Sequence, residues 1–265
     1  MFAKALYPVT LNRPIRETVA EAELAAGLGT RKFHLIHVLT PGLGDREKAA
    51  ARLKKLGDEL EKKGLEAYAE VREGQPAKVI CTAANLLQVD YIFMRGSCKN
   101  FLHRALLGST AQDVMRLTDK PALVHKGCFK PDSGNPFNRI MFATDFGPAA
   151  DRASAYVKAI GRFASWLVIV HAGKRAGDPF TESRRTHEIQ RKLSRLHVAL
   201  GDDYTTVETV SAVGSPVGVI CRYADNLRVD LIVIGRFNRT SKQKIMGSTS
   251  EGVTGSVEAS IFLVP

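Results

Sequence analysis

One stretch of this chain occurs twice. Gly74-Gln-Pro-Ala-Lys-Val-Ile-Cys81 returns as Gly214-Ser-Pro-Val-Gly-Val-Ile-Cys221, and Val89-Asp90 returns as Val229-Asp230, all at an offset of 140 residues. Across Gly74–Met94 and Gly214–Ile234, ten of 21 positions are identical. Upstream, the apolar series Ala49, Leu53, Leu56, Leu60 recurs as Ile189, Leu193, Leu196, Leu200, stepping by four, three and four as one face of a helix does. Downstream, Gly108-Ser-Thr recurs as Gly247-Ser-Thr, but at an offset of 139, so the second copy has lost one residue in between. A repeat this long makes the chain a duplication of one structural unit. Its 265 residues then divide into two domains of ordinary size. The join falls in residues 127–138, which hold two prolines, two glycines and no apolar period. The expected domains are therefore 1–126 and 139–265.

Each half alternates short apolar runs with helical patterns. In the second half the runs are Ile140–Thr144, Leu167–Val170, Thr205–Val210, Leu231–Ile234 and Ile261–Val264. Helical stretches lie between them, at Pro148–Ser165, Glu182–Leu200, Pro216–Leu227 and Ser248–Gly255. The first half repeats this with runs at Ala5–Val9, Phe33–Val38, Glu66–Val71, Tyr91–Met94 and Ala122–His125. Such alternation builds parallel sheets covered by helices on both faces. The fold class is α/β: two doubly wound, Rossmann-like domains, each on a five-stranded parallel sheet.

Charge and composition narrow the partners. Thirty-eight Lys and Arg against 27 Asp and Glu leave a net charge of +11, which suits anionic ligands. The cations of the Ala49–Leu60 helix are mixed with acids, and no aromatic residues interleave with the basic pairs, so a nucleic-acid track is not expected. No apolar run reaches the roughly 18 residues of a membrane span, and the first residues do not read as a signal peptide. Four cysteines without a CxxC pair read as reduced thiols, so a cytoplasmic location is expected.

In doubly wound sheets, ligands sit beyond the carboxyl ends of the strands, where strand order reverses. In the second half, Asp145 follows the first strand. The fourth strand is followed by Gly235-Arg-Phe-Asn-Arg-Thr-Ser-Lys-Gln-Lys-Ile-Met-Gly-Ser-Thr249, which carries Arg236, Arg239, Lys242 and Lys244. Glycine lets amides approach a phosphate, a helix N-terminus offers unpaired N–H groups, and Ser248 and Thr249 add hydroxyls. Asp145 is placed to accept from a ribose or an adenine amine. Singly, Gly-Ser-Thr is an N-cap, Asp145 a cap for the next helix, and a charged loop is solvated. Their convergence on one crevice describes a mononucleotide site. No Walker loop and no complete Gly-x-Gly-x2-Gly occurs.

These residues resemble the universal stress protein family, and the chain as a whole resembles a tandem pair of its domains. The family's ATP-binding members carry an Asp after the first strand and a Gly-x2-Gly-x9-Gly-(Ser/Thr) loop after the fourth. In the second copy Asp145, Gly235, Gly247 and Ser248 match, while Asn238 replaces the middle glycine and eight residues rather than nine separate it from Gly247. In the first copy Thr10 stands at the Asp position, and Arg95 and Cys98 replace the first two glycines before Gly108-Ser109. The resemblance implies a stress-response regulatory protein. It would bind ATP, ADP or AMP, with or without Mg, in the second domain through Asp145, Gly235, Arg236, Asn238, Gly247, Ser248 and Thr249, the backbone of Val170, His171 and Ala172 facing the base. No cofactor is expected in the degenerate first domain. No residue stands out as a general base, so rapid turnover is not expected and slow hydrolysis stays open. A module that has lost nucleotide binding and binds an unidentified protein partner is the alternative. An adenylating ligase ranks last, because the region after the first strand has one glycine and no Ser-Gly-Gly loop. The resemblance also implies pairing through Ala122–His125 and Ile261–Val264 as an internal pseudo-dimer, alone or as a further homodimer.

Other polar residues read as structural. His34 and His37 are three apart on a strand, point to opposite faces and cannot share a metal. His37 and His171 end the second strands of the two halves. His187 and His197 lie on a charged helix. Cys81 and Cys221 hold equivalent helix positions and are expected in the core, while Cys98, beside Arg95 and Lys99, is the candidate reactive thiol.

Overall fold

The computed structural model describes residues 1–42, 44–96, 108–127, 135–236 and 247–265. Asn238, Cys98, Arg239, Lys242, Lys244 and most of the join lie outside the described residues. The described chain forms two compact units, one of Met1–Arg95 with Gly108–His125 and one that includes Lys126–Pro265.

The first unit runs β1 (Lys4–Pro8), α1 (Ile15–Gly27), β2 (Lys32–Leu39), α2 (Arg46–Glu61), β3 (Glu66–Glu73), α3 (Pro76–Leu86), β4 (Tyr91–Arg95), α4 (Ser109–Leu117) and β5 (Ala122–His125). Its strands lie side by side in the order β3-β2-β1-β4-β5, and every described pairing is parallel. The second unit repeats the plan with β6 (Arg139–Ala143), α5 (Pro148–Ile160), β7 (Trp166–Gly173), α6 (Pro179–Gly201), β8 (Thr206–Val213), α7 (Pro216–Asn226), β9 (Leu231–Gly235), α8 (Ser248–Ser256) and β10 (Ser260–Val264). Its order is β8-β7-β6-β9-β10, again parallel. In both units the order reverses at the first strand, between β1 and β4 and between β6 and β9. Right-handed crossovers then carry the helices to both faces. Among the described residues no helix is long and apolar enough to cross a membrane.

The strand sequences explain which of them are central. Ile140, Met141 and Phe142 of β6 and Leu231 through Val233 of β9 have no measurable exposure, as expected for strands covered on both faces. The outer strands β3 and β8 are mostly exposed and carry charged and small residues, which keeps an open edge from pairing with other chains.

Several of the duplicated residues hold the frame. Gly74 and Gly214 adopt φ of +137° and +150°, values that side chains resist, and a Cβ there would press on Val79 or Val219. The following prolines open α3 and α7, where the missing N–H costs nothing. Asp90 accepts from the Lys4 amide at 3.1 Å, and Asp230 accepts from the Asn138 and Arg139 amides at 2.9 and 2.7 Å. Each aspartate thus fixes the start of its unit's first strand. The Lys4 and Arg139 side chains answer by donating to the carbonyls of Leu87 and Leu227.

Some expected boundaries move. α5 ends at Ile160 instead of Ser165. Gly161 there approaches the turn before β8 so closely that a Cβ would lie 2.5 Å from the Asp203 carbonyl oxygen. α6 begins at Pro179 instead of Glu182, because Asp178 caps it by accepting from the Thr181 amide at 2.9 Å. β7 runs on to Gly173, paired with β8 along its whole length. Cys81 and Cys221 are half-buried, not core residues.

Candidate functional site

The carboxyl ends of β6, β7 and β9 and the start of α8 surround a cavity of about 640 Å³ in the second unit. That is within the range of small-molecule pockets. Asp145 lies on its β6 side, Val170 and Ala172 at the end of β7, Gly235 at the end of β9, and Gly247, Ser248 and Thr249 at the start of α8. Seven of the ten second-domain residues singled out in the sequence therefore share one cavity.

Local geometry explains how they arrive there. Asp145 is exposed, and its Oδ1 accepts from the Gly147 amide at 2.8 Å. Thr144 Oγ1 accepts from the Phe146 amide at 3.0 Å, and Phe146 adopts φ +59°. These bonds turn the chain sharply out of β6 and leave the cap of α5 to Gly147, so Asp145 is not the helix cap. Gly235 is required for packing: a Cβ there would stand 2.6 Å from the backbone of Ala149. Gly247 caps α8 without any side-chain cap hydrogen bond, so Ser248 and Thr249 do not serve as caps. The first-turn amides of α8 face the cavity with the positive end of the helix dipole.

Two of the sequence-singled residues do not line the cavity. His171 is turned away: its Nδ1 lies 2.9 Å from the Thr144 carbonyl, and the Phe146 ring stacks on it at 4.6 Å. Burial pushes the imidazole pKa down and the nearby Arg185 adds to this, while the Thr144 bond and Asp145 oppose it. His37 makes the same contact in the first unit, with Nδ1 2.9 Å from the Val9 carbonyl. The histidine therefore ties the second strand to the end of the first in both copies. Arg236 is 1% exposed, and its amide donates to the Val264 carbonyl at 2.6 Å. Its side chain is part of the interior, not of the cavity wall.

The wall also holds residues that the sequence reading did not single out. Pro216 and Ile220 of α7 bring the duplicated Gly-x-Pro helix to the wall, and Glu251 adds a carboxylate from the first turn of α8. The repeat itself was the available signal for α7. Glu251, three residues beyond Ser248, resembles any first-turn acid.

The first unit treats the same positions differently. Thr10, Gly108 and Ser109 are exposed. Arg95 pairs with Glu21 of α1. Glu21 is 6% exposed, accepts from Tyr7 Oη at 2.5 Å and from Arg13 Nη1 at 3.0 Å, and lies near His125. Burial raises the Glu21 pKa, but the bonds from Arg13 and Tyr7 and the charge of Arg95 bring it below the usual value. Burial and the Glu21 charge push the Tyr7 phenol well up.

Comparison with known proteins places the chain. The profile of the Universal stress protein family matches residues 7–126 and 136–265, and the chain belongs to that family. A universal stress protein of Methanocaldococcus jannaschii is 36% identical over 81 residues, a match that covers 31% of this chain and about half, 48%, of that relative. A universal stress protein structure from Archaeoglobus fulgidus superposes with TM-score 0.76 at 21% identity, covering 100% of this chain and 98% of that one. A putative universal stress protein from Pseudomonas aeruginosa gives 0.76 at 18% identity, covering 99% and 92%. At these identities the structures speak for the fold alone.

Proposed function

We propose that the second domain binds an adenine nucleotide in the cavity between β6, β9 and α8, and that the first domain does not. The observation that carries this reading is the single cavity holding both a carboxylate, Asp145, and a helix start whose hydroxyls are free of capping duty. The α8 amides with Ser248 and Thr249 would hold phosphate oxygens, as helix N-termini do. Asp145 would accept from a ribose hydroxyl or the base amine. The backbone of Val170 and Ala172 would face the base. Glu251 brings a second carboxylate to the wall, so a nucleotide carried with Mg would meet a further oxygen ligand there.

In the first domain the ribose acceptor is replaced by Thr10, and Arg95 is engaged by Glu21. The protein acts by binding, as a regulatory protein of cytoplasmic stress response.

The test is to denature freshly purified protein, identify released nucleotide by mass spectrometry, and titrate ATP, ADP and AMP by thermal shift. About one nucleotide per chain, abolished by Ser248→Ala with Asp145→Ala, is the expected result. A ligand at a hundredfold excess over Kd stabilises by about 2.7 kcal/mol, a shift of several degrees. No nucleotide and no shift would give the protein-partner reading instead.

A further inference from the structure

α8 lines the cavity with its first turn, and something must hold its other end. Its last turn contains no basic residue, whereas α4, its counterpart in the first unit, carries Arg116 there. The carbonyls at a helix C-terminus have no partner inside the helix and concentrate the negative end of its dipole. In the second unit the missing cation comes from Lys126, the residue that follows β5. Lys126 is 1% exposed. Its Nζ donates to the carbonyl of Thr254 at 2.6 Å and to that of Val257, the residue that ends α8. A lysine so enclosed is rare unless its charge is met, and here two helix-end carbonyls meet it.

We propose that Lys126 is a positioning residue for the proposed nucleotide site, holding the carboxyl end of α8 so that the amides of Ser248, Thr249 and Ser250 stay aimed at the ligand. The inference rests on the nucleotide reading and adds a regulator to it. An anion at one end of α8 and an ammonium at the other both match the helix dipole, and their opposite charges attract one another across it, so each favours the other. By linkage, a bound phosphate raises the proton affinity of Lys126, and protonated Lys126 tightens phosphate binding by the same factor.

The groups facing the amine set where this coupling acts. Cys221 of α7 and Glu258, in the turn between α8 and β10, both favour its charged form, and Asp225 of α7 lies against Cys221 and Glu258. Burial outweighs them and lowers the amine to about 8. Burial and Asp225 push the Cys221 thiol up, and Lys126 opposes them. Nucleotide affinity is then greatest while Lys126 is charged and falls as pH rises through that value.

The experiment measures ADP affinity of the full chain by calorimetry at constant ionic strength, for the natural protein, Lys126→Arg and Lys126→Met. Phosphate second ionisation, near pH 6, is complete throughout a series from about pH 7 to about pH 9. The natural protein should lose about threefold to fivefold in affinity across that series. Lys126→Arg should bind as tightly at the lower end and show no slope. Lys126→Met should bind about fivefold more weakly and also show no slope. A flat profile in the natural protein overturns the inference, and so does a slope that survives in Lys126→Arg, which would assign the titration to another group. If Lys126→Met does not fold, the other two profiles still decide. Absence of ADP binding at every pH would overturn the nucleotide reading together with this one, whereas binding without slope overturns only the role of Lys126.

Discussion

Arg95 donates to the buried carboxylate of Glu21 at the repeat position where the second unit has Gly235 lying against the backbone of Ala149. One duplicated plan has thus taken two courses. In the first unit a cation and its counter-charge occupy the end of β4 and the face of α1. In the second, a bare backbone lets α5 come close and leaves the strand end open to a cavity. The two courses give separable predictions.

Glu21 is the hub of the first. Glu21→Gln should destabilise the protein by about 2 kcal/mol, because the buried Tyr7 hydroxyl and two guanidinium groups lose their charged acceptor. Urea denaturation at neutral pH measures this. The folded carboxyl titrates below its unfolded value, so its stabilisation is present at and above the usual carboxylate range and is lost as pH falls through the folded value. The acid limb of the stability curve should therefore be shallower in Glu21→Gln. An unchanged acid limb would remove Glu21 from this role.

Gly235 carries the second. A Cβ at 2.6 Å from the Ala149 carbonyl carbon, and 2.8 Å from its oxygen, meets backbone that no side-chain rotation relieves. Gly235→Ala should cost about 2 kcal/mol. Gly108→Ala, with nothing within 4 Å of the added atom, should stay within about 0.5 kcal/mol. Thermal unfolding of the two variants side by side is the check, and equal costs would contradict the packing argument.

The parts of this structure that the sequence made legible are those written in short spacing. The 140-residue offset disclosed the duplication, and the runs at Ile140–Thr144 and Leu231–Ile234 disclosed the central strands, because strands covered on both faces need unbroken apolar residues. Asp145 and Gly247-Ser-Thr could be brought together because sheet topology places the ends of β6 and β9 side by side. Long-range pairs were not legible. Glu21 and Arg95 stand 74 residues apart, and nothing in the local pattern of α1 distinguishes Glu21 from Glu17 or Glu23. Lys126 read as the last residue of the first domain, since only the tertiary structure shows the helix end it meets. His171 was named for its backbone at the strand end, and that position did not disclose which carbonyl its imidazole would meet.

Three histidines set a second pH dependence. Burial lowers the pKa of His34, with Lys4 adding to it, and burial lowers those of His125 and His171 as well. The folded chain therefore binds fewer protons than the unfolded chain below the ordinary histidine value of about 6.5. The histidine contribution is fully present above that value and is lost as pH falls through it, before the carboxylates titrate. Melting temperatures recorded between about pH 7 and about pH 5 should fall towards the acidic end. A plateau across that whole range would show that the imidazoles are not held neutral.

Asp145 has two oxygens and two tasks, and substitutions can separate them. Its Oδ1 accepts from the Gly147 amide, which shapes the turn before α5. Asparagine keeps that acceptor and removes the charge, so Asp145→Asn should leave stability within about 0.5 kcal/mol. Alanine removes the acceptor and should cost about 1 kcal/mol. A carboxylate that only shapes the turn would give equal nucleotide affinity in the natural protein and Asp145→Asn. A carboxylate that receives ligand hydrogen bonds loses its charge assistance in Asp145→Asn, for a loss of about tenfold in affinity. Calorimetric titration with ADP, paired with a melt of the same samples, reads both tasks at once. Matching losses of stability and affinity in both variants would mean that Asp145 acts only through the turn.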